Sequence, residues 1–200
     1  MKLTSNEARE LLEKERSNQK DDRWIGHSIC VGDSAGIIAK ALQEKGIEVD
    51  VDKAITLGYI HDIGKYNGES KGHVMRGYEY LKEKGYDEEY ASICLTHSYL
   101  NNDITCTAGG GPNPKDNSFL DNYIKNHKYT IEEKIINLCD LMCPNKVMTI
   151  DKRLIDLLIR KGVYHNTQYH IKETYNLKEY FDNLLGYNLY DLFPEIKDNL

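Results

Sequence analysis

Apolar residues recur at three- and four-residue spacing along most of this chain, which is the period of an α-helix that buries one face. No segment alternates convincingly between apolar and polar residues, as a half-buried strand would. The pattern therefore predicts an all-α fold. It predicts helices over about 4–16, 24–45, 52–66, 72–84, from 87 onward, 130–143 and 151–185, with a break in the last near Gly162.

Local sequence signals mark the ends of several of these helices. Thr4 with Glu7, and Thr130 with Glu133, have the spacing of a capping box, in which each side chain bonds the backbone N–H of the other residue. Gly46 follows the second helix, where a glycine commonly takes the left-handed conformation that ends a helix. These signals agree with the boundaries that the apolar pattern predicts.

One helix and one loop stand out from the rest of the pattern. The segment 52–66 is apolar on almost every side, which predicts that it lies at the centre of a helical bundle. Residues 100–117 are irregular and contain three consecutive glycines. Because no predicted strand precedes the glycines and no Gly-Lys-Ser/Thr follows them, we interpret this segment as a mobile loop or lid and not as a phosphate cradle. The 200 residues are expected to form a single domain.

Composition and charge exclude several classes of protein. The net charge is −6, and no stripe of Lys and Arg interleaves with aromatic residues, which argues against binding of duplex nucleic acid but not against a small anionic substrate. No apolar run approaches the roughly 18 residues that a membrane span needs. The N-terminus has no apolar signal core, so we expect a cytoplasmic protein. The five cysteines form no CxxC pair and are expected to be reduced thiols.

Six residues with side chains that can bind metals are predicted to lie on the inward faces of the helices. They are His27, His61, Asp62, His73, His97 and Asp140. Four imidazoles and two carboxylates form the mixed nitrogen and oxygen ligand set that ions such as Fe, Mn, Zn and Co prefer. His61 and Asp62 lie within the apolar run AITLGYIHDIG, where unpaired polar groups would cost several kcal/mol each if buried. A bound metal ion would remove that cost.

The spacing allows one or two ions. His61 and Asp62 are about 100° apart around a helix, so that both can reach one ion, and His27 and Asp140 can approach it from neighbouring helices. Asp62 has a second oxygen, which can bridge to a further ion near the other two histidines of the set. Two ions roughly 3.5–4 Å apart can activate a water and hold the oxygens of an in-line displacement. We therefore expect one or two divalent ions, of Fe, Mn, Zn or a similar metal.

Several of these residues have alternative interpretations. Lys65 lies one turn after His61 and could bind a substrate phosphate as a point charge, or it could simply be favoured at a helix C-terminus by the dipole. A single histidine on an apolar face is usually a hydrogen-bonded core residue, and this alternative stays open for His73 and His97. Three histidines in polar surroundings are expected at the surface: His127, His165 and His170.

The order of these residues resembles that of a known superfamily. His27, then the doublet His61-Asp62 continuing as HDIGK, then Asp140, is similar to the pattern of the HD-domain metal-dependent phosphohydrolases. The resemblance covers about residues 24–145. It implies an all-α helical bundle with a metal site between its central helices. Carried over by position, it implies that these four residues hold the first metal.

The residues between these motifs refine the resemblance. His73, in GHVMRG, and His97, in LTHSYL, resemble the second-metal ligands of binuclear members, among which the bacterial diadenosine tetraphosphate hydrolases are closest in layout. The cyclic-di-GMP phosphodiesterases carry a His-His pair, and here Ser98 takes the second place, which disfavours that activity. The resemblance leaves a C-terminal helical extension over about 150–200, which matches no subfamily pattern.

These observations favour a metal-dependent phosphohydrolase that cleaves a phosphate ester or anhydride of a small molecule, with a nucleotide, such as a dinucleoside polyphosphate, as the substrate. Asp62 and Lys65 are the residues expected to take part in catalysis. The superfamily also includes di-iron oxygenases with the same ligand order, which remain an alternative. Lys65 beside the doublet suits a phosphate better than a neutral polyol. A non-catalytic, metal-binding regulatory domain is a second alternative, disfavoured because all six ligand positions are filled.

Overall fold

The structure is a computed structural model that describes residues 1–16 and 22–199, with side chains as far as residue 196. Over these residues the regular elements are all helical, which confirms the predicted fold class. The α-helices are α1 Ser5–Arg16, α2 Arg23–Glu44, α3 Val51–Ile60, α4 His73–Glu83, α5 Glu88–Thr96, α6 Ser118–Asn126, α7 Ile131–Met142, α8 Ile150–Lys161 and α9 Thr167–Leu185. Short 3-10 helices span Ile63–Lys65, Leu189–Leu192 and Pro194–Asn199.

Both predicted capping boxes form. The backbone N–H of Glu133 donates to Thr130 Oγ1 at 3.3 Å, and the N–H of Thr130 donates to Glu133 Oε2 at 2.9 Å. Thr4 and Glu7 exchange the same two bonds at 3.4 Å and 2.8 Å. These bonds satisfy backbone donors that a helix N-terminus otherwise leaves without partners. One helix, α6, lies outside the predicted elements.

The predicted helix over 52–66 is wrong at its C-terminal end. Helix α3 ends at Ile60, and His61 is its C-cap. Asp62 leaves the α-helical region, with φ −104° and ψ 11°, and begins the 3-10 helix Ile63–Lys65. His61 and Asp62 therefore lie at the junction between α3 and the 3-10 helix, and not on one regular helix as the sequence pattern predicts.

Helix α3 is the central helix, as its apolar composition predicts. It contacts α1, α2, α5 and α7, and its residues Leu57 and Ile60 are completely buried. Helices α8 and α9 pack against α7 at one side of this core. None of the described helices is long and apolar enough to cross a membrane.

Two pairs of glycines allow the backbones around the doublet to approach closely. A Cβ atom on Gly58 of α3 would lie 2.5 Å from the Cα atom of Gly32 in α2. A Cβ atom on Gly64 would lie 2.5 Å from the backbone nitrogen of Gly77 in α4. Real Cβ atoms do not approach other atoms so closely, so both contacts require glycine. The first pair sets the spacing between α2 and α3, and the second sets the spacing between the 3-10 helix and α4.

The irregular loop 100–117 contains no helix or strand and is tied to α9. The Asn166 side-chain amide donates to the carbonyl of Thr107 at 3.2 Å, and Asn101 donates to Tyr169 Oη at 2.8 Å. These bonds hold the first part of the loop, residues 101–107, against the start of α9. Its use as a lid stays a prediction.

We expect Gly58→Ala to lower the free energy of unfolding by about 1–3 kcal/mol, because the new methyl group would force α2 and α3 apart. Gly26→Ala is the matched control, since Gly26 also lies in α2 but its Cβ would meet no atom closer than 3.7 Å. It should be neutral or stabilise the protein by about 0.5–1 kcal/mol, because alanine favours the helix. Urea unfolding in a chelating buffer, followed by circular dichroism, measures both. Equal destabilisation by the two variants would contradict the close-approach argument.

Candidate metal site

The structure brings all six predicted metal ligands to one place. His27 comes from α2, the doublet from the end of α3, His73 from the first turn of α4, His97 from the C-cap of α5, and Asp140 from α7. Their candidate ligand atoms form two groups, each within 4.8 Å: His27, His61 and Asp140; and Asp62, His73 and His97. Residues separated by more than a hundred positions in sequence therefore form one continuous cluster.

The Asp62 carboxylate lies between the two groups. Its Oδ2 atom is 3.6 Å from Nε2 of both His27 and His61. Its Oδ1 atom is 3.2 Å from Nε2 of His73 and 3.6 Å from Nε2 of His97. Asp140 completes the first group, with Oδ1 2.9 Å from His27 Nε2. Each oxygen of Asp62 thus faces a different pair of imidazoles.

All four imidazoles are oriented by backbone carbonyls. The Nδ1 atom of each ring donates to one backbone carbonyl. The pairs are His27 to Cys143 (2.5 Å), His61 to Gly58 (2.7 Å), His73 to Ser70 (2.7 Å) and His97 to Ile93 (3.0 Å). Because a carbonyl oxygen can only accept, each Nδ1 carries a proton. In the neutral imidazole, Nε2 then carries a lone pair, and this is the ring orientation found in metal-binding histidines.

The facing Nε2 atoms fit a metal ion between them. His27 and His61 Nε2 are 3.2 Å apart, and His73 and His97 Nε2 are 3.4 Å apart. Two lone pairs at this distance repel each other, whereas two ligands about 2.1 Å from one tetrahedral ion lie about 3.4 Å apart. Asp62 Oδ1 is also buried with no hydrogen-bond partner among the described residues. The donor atoms present are therefore suited to divalent cations.

The charges of Asp62 and His97 agree with this interpretation. For His27, burial acts to lower the pKa, but the carboxylates of Asp140 and Asp62 raise it above its usual value, so that without an ion this imidazole favours the protonated form. Burial acts to raise the pKa of Asp62, but the positive charge of Lys65, together with the neighbouring His61, holds it well below its usual range. Burial, together with the neighbouring His61, lowers the pKa of His97 to about 3. At neutral pH the carboxylate is therefore ionised and His97 is neutral, and metal ligation requires these forms.

Asn137 supports one ligand in a way that the sequence analysis missed. Its side-chain amide donates to the carbonyls of His97 at 2.6 Å and Thr96 at 3.0 Å. Thr96 Oγ1 in turn donates to the buried Glu133 carboxylate at 3.2 Å. These bonds fix the C-terminal end of α5 that carries His97. The sequence did contain a signal for this role, because Asn137 is a polar residue one turn before Asp140 on the same apolar face of α7.

Lys65 lies within the cluster. Its Nζ atom donates to Asp62 Oδ2, and its side chain, about one-fifth exposed, also lines the cleft that leads to the cluster. Its position at the end of the 3-10 helix also agrees with the alternative, in which the lysine is only favoured at a helix C-terminus by the dipole. The lysine is thus adjacent both to the bridging carboxylate and to solvent in the cleft.

A cleft of about 800 Å³ opens onto the cluster. Besides the ligands it is lined by cationic residues that the sequence analysis did not select: Arg23, Arg153, Arg160 and Lys161. Three of these belong to α8, outside the motif-bearing helices. Their spacing along α8 could have indicated a shared face, but nothing in the sequence indicates that this face borders the metal cluster.

The expectation that three further histidines lie at the surface is correct only for His165, which is exposed. His170 is buried, with 5% of its surface exposed, because this face of α9 turns toward the cleft. His127 is half-buried and its Nε2 atom lies 2.8 Å from the buried Glu133 carboxylate. Polar neighbours in sequence therefore misled the assignment, since they lie on other faces of the helices.

Comparison with known proteins agrees with the geometry. The family model of the HD domain matches residues 24–144, which include all six cluster residues, and the chain therefore belongs to the HD domain family. HD domains bind divalent metals, and the family consists generally of metal-dependent hydrolases. A protein of Methanocaldococcus jannaschii, described only as uncharacterized, is 32% identical over 169 residues, or 84% of this chain and 93% of its own. No solved structure matches the chain.

His170 should make the metal-free protein less stable in acid. Burial, together with the charge of Lys161, lowers the pKa of His170 to about 4, whereas an unfolded histidine has a pKa of 6.5. As the pH falls from 6.5 toward 4, the unfolded chain takes up a proton that folded His170 does not, and stability is lost. We expect His170→Gln to lose less stability than wild type over this range, by on the order of 1–3 kcal/mol.

Urea unfolding at pH 7 and pH 4.5 in a chelating buffer measures this difference. His165→Gln, at an exposed position in the same segment, is the control and should keep the wild-type pH dependence. The burial argument is wrong if His170→Gln and wild type lose the same free energy of unfolding between the two pH values.

Proposed function

We propose that this protein is a metal-dependent phosphohydrolase that cleaves a phosphate ester or anhydride of a nucleotide. The observation that carries the proposal is the Asp62 carboxylate, whose two oxygens face two separate pairs of histidine Nε2 atoms. This is the arrangement expected of a carboxylate that bridges two ions. Membership of the HD domain family supports the same chemistry.

In this proposal His27, His61 and Asp140 would hold the first divalent ion, and His73 and His97 would hold the second. Asp62, which lies between the two groups, would serve both ions. When bound, such ions activate a water molecule and offset negative charge on the phosphoryl oxygens. The protein contributes the fixed orientation of its imidazoles, which the four carbonyl acceptors provide before any ion binds.

Lys65 has a role toward the substrate. Its ammonium group donates to Asp62 and lines the cleft that opens onto the metal ligands, so it would be within reach of a phosphorylated substrate in that cleft. A lysine there binds phosphate as a point charge and stabilises the negative charge that the reaction places on its oxygens. Asp62 holds this ammonium group in position and is not itself the group that accepts substrate.

The dimensions of the cleft support a nucleotide as the substrate. A volume of about 800 Å³ is in the range of pockets that enclose whole organic ligands, and is far larger than one phosphate needs. Trp24, which is half-buried, lines the same cleft and offers an aromatic ring against which a base can pack. Because the ligand layout resembles that of diadenosine tetraphosphate hydrolases, dinucleoside polyphosphates are among the nucleotides to test as substrates.

A di-iron oxygenase remains the second candidate, because the same six ligands suit it. The cationic lining of the cleft favours the hydrolase. A phosphorylated substrate has negative charge that these cations can bind, whereas a neutral polyol, as the substrate of an oxygenase, has none. A regulatory domain without activity is disfavoured because all six side chains converge.

The first prediction of this proposal concerns metal content. Asp62→Ala should lose both ions, since it removes the one carboxylate shared by the two groups. His97→Ala should lose the second ion and keep the first, whose other ligands it leaves in place. Elemental analysis of protein purified without oxygen measures the ratio of metal to protein, and circular dichroism checks that each variant is folded. A folded Asp62→Ala variant with wild-type metal content would show that the assignment is wrong.

The second prediction concerns the reaction itself. We expect phosphate release from a nucleotide under strict anaerobiosis, at a rate that does not depend on dioxygen, because hydrolysis needs no change in metal oxidation state. Lys65→Ala should keep the metal and lower kcat/KM by about tenfold to a hundredfold, which links the activity to this cleft. Activity that requires both iron and dioxygen would replace the hydrolase with the oxygenase.

A further inference from the structure

The cleft is positively charged although the chain as a whole carries a net charge of −6. Five cationic residues and three acidic residues line it. The cations are Arg23, Lys65, Arg153, Arg160 and Lys161, and the acids are Asp62, Asp140 and Asp156. Ions bound at the cluster would add further positive charge. A cleft with this excess is suited to a ligand with several negative charges.

The cations on α8 are arranged around a single carboxylate. Asp156 Oδ2 accepts from Arg153 Nη1 at 2.8 Å and from Arg160 Nη2 at 2.6 Å, and Arg160 Nε donates to Oδ1 at 2.9 Å. Two guanidinium groups thus share one negative charge. Arg153 Nε is buried and has no hydrogen-bond partner among the described residues. The arginines are therefore held in position by one carboxylate, which offsets only one of their two positive charges.

Lys161 adds a third positive charge at the same wall. Its Nζ atom has a long contact of 3.4 Å to the carbonyl of Ala108. The lysine is exposed to the cleft, yet the surrounding walls desolvate it and lower its pKa, and the charges of Arg153 and Arg160 lower it further. The three positive charges face the single negative charge of Asp156, and like charges held together cost free energy unless further anions offset them. The wall thus has the properties of an anion site.

The alternative is that α8 carries only ordinary helix-surface ion pairs. Arg160 and Asp156 are four residues apart and about half exposed, and such pairs contribute little. This accounts for Arg160 alone. It does not account for Lys161, whose contact is an uncharged carbonyl, or for the buried and unpartnered Nε of Arg153.

We propose that Arg153, Arg160 and Lys161 bind a phosphate group that is not the one that reacts, so that the substrate carries at least two phosphates. Guanidinium groups present forked donors that match phosphate oxygens, and an ammonium group adds a point charge. The inference rests on the proposed function, which assigns the reacting phosphate to the metal cluster. It adds that helix α8, which lies beyond the matched HD domain, selects polyphosphorylated nucleotides over monophosphates.

Binding of inorganic tripolyphosphate and orthophosphate to the metal-free protein tests the site without catalysis. The variant is Arg160→Gln with Lys161→Gln, two exposed positions. The control is Lys115→Gln with Lys172→Gln, which removes the same charge at exposed positions outside the cleft lining. Titration calorimetry should show tripolyphosphate binding weakened at least about tenfold in the variant and unchanged in the control. Equal binding by wild type and variant, or equal weakening in the control, would overturn the inference.

Kinetics with metal-loaded protein separate this inference from the proposed function. We expect wild type to prefer a nucleoside triphosphate over 4-nitrophenyl phosphate in kcat/KM, and the cleft variant to lose about tenfold of that preference. Turnover with unchanged preference would overturn the α8 site and leave the hydrolase intact. No turnover of any phosphorylated compound would overturn the hydrolase, while the calorimetry would still decide whether α8 binds a phosphate chain. Thermal unfolding checks that each variant is folded.

Discussion

A buried carboxylate at the centre of the bundle sets the requirements for the surrounding structure. The Asp62 side chain is only 2% exposed, and an ionised carboxylate at that depth needs compensating charge or hydrogen bonds. The chain itself offsets this charge with Lys65, whereas the four imidazoles from α2, α3, α4 and α5 surround the carboxylate with donor atoms that suit bound cations. The helices that carry these side chains must therefore lie at set distances from Asp62, and this requirement constrains their positions.

The backbone supplies the means to keep these distances. Glycine pairs let α2 approach α3 and let α4 approach the turn after α3, so that short imidazole side chains can reach one point. Carbonyl acceptors then orient each ring, and two of them, Gly58 and Ile93, belong to the helices that carry the ligands themselves. Ligand orientation is therefore part of the fold and not a later adjustment of loose side chains.

The sequence predicted the fold class and the convergence of the cluster because both depend on helical period and on the order of a few residue types. It did not predict the end of α3 at Ile60, since the apolar pattern continues through the doublet while the backbone turns. It also did not predict that α8 lines the cleft or that His170 is buried. Those facts depend on how distant helices pack, which local periodicity does not encode. The identity of the ions and of the substrate stays a prediction.

The sharing of Asp62 between two groups of ligands has a thermodynamic consequence. An ion held by one oxygen immobilises the carboxylate and withdraws electron density from the other oxygen. In the proposed two-ion site the two halves of the cluster would therefore be coupled, and occupation of one would change the affinity of the other by a factor that is the same in both directions. Metal content would then be a cooperative quantity, which depends on the concentration of free ion more steeply or more gradually than two independent sites would.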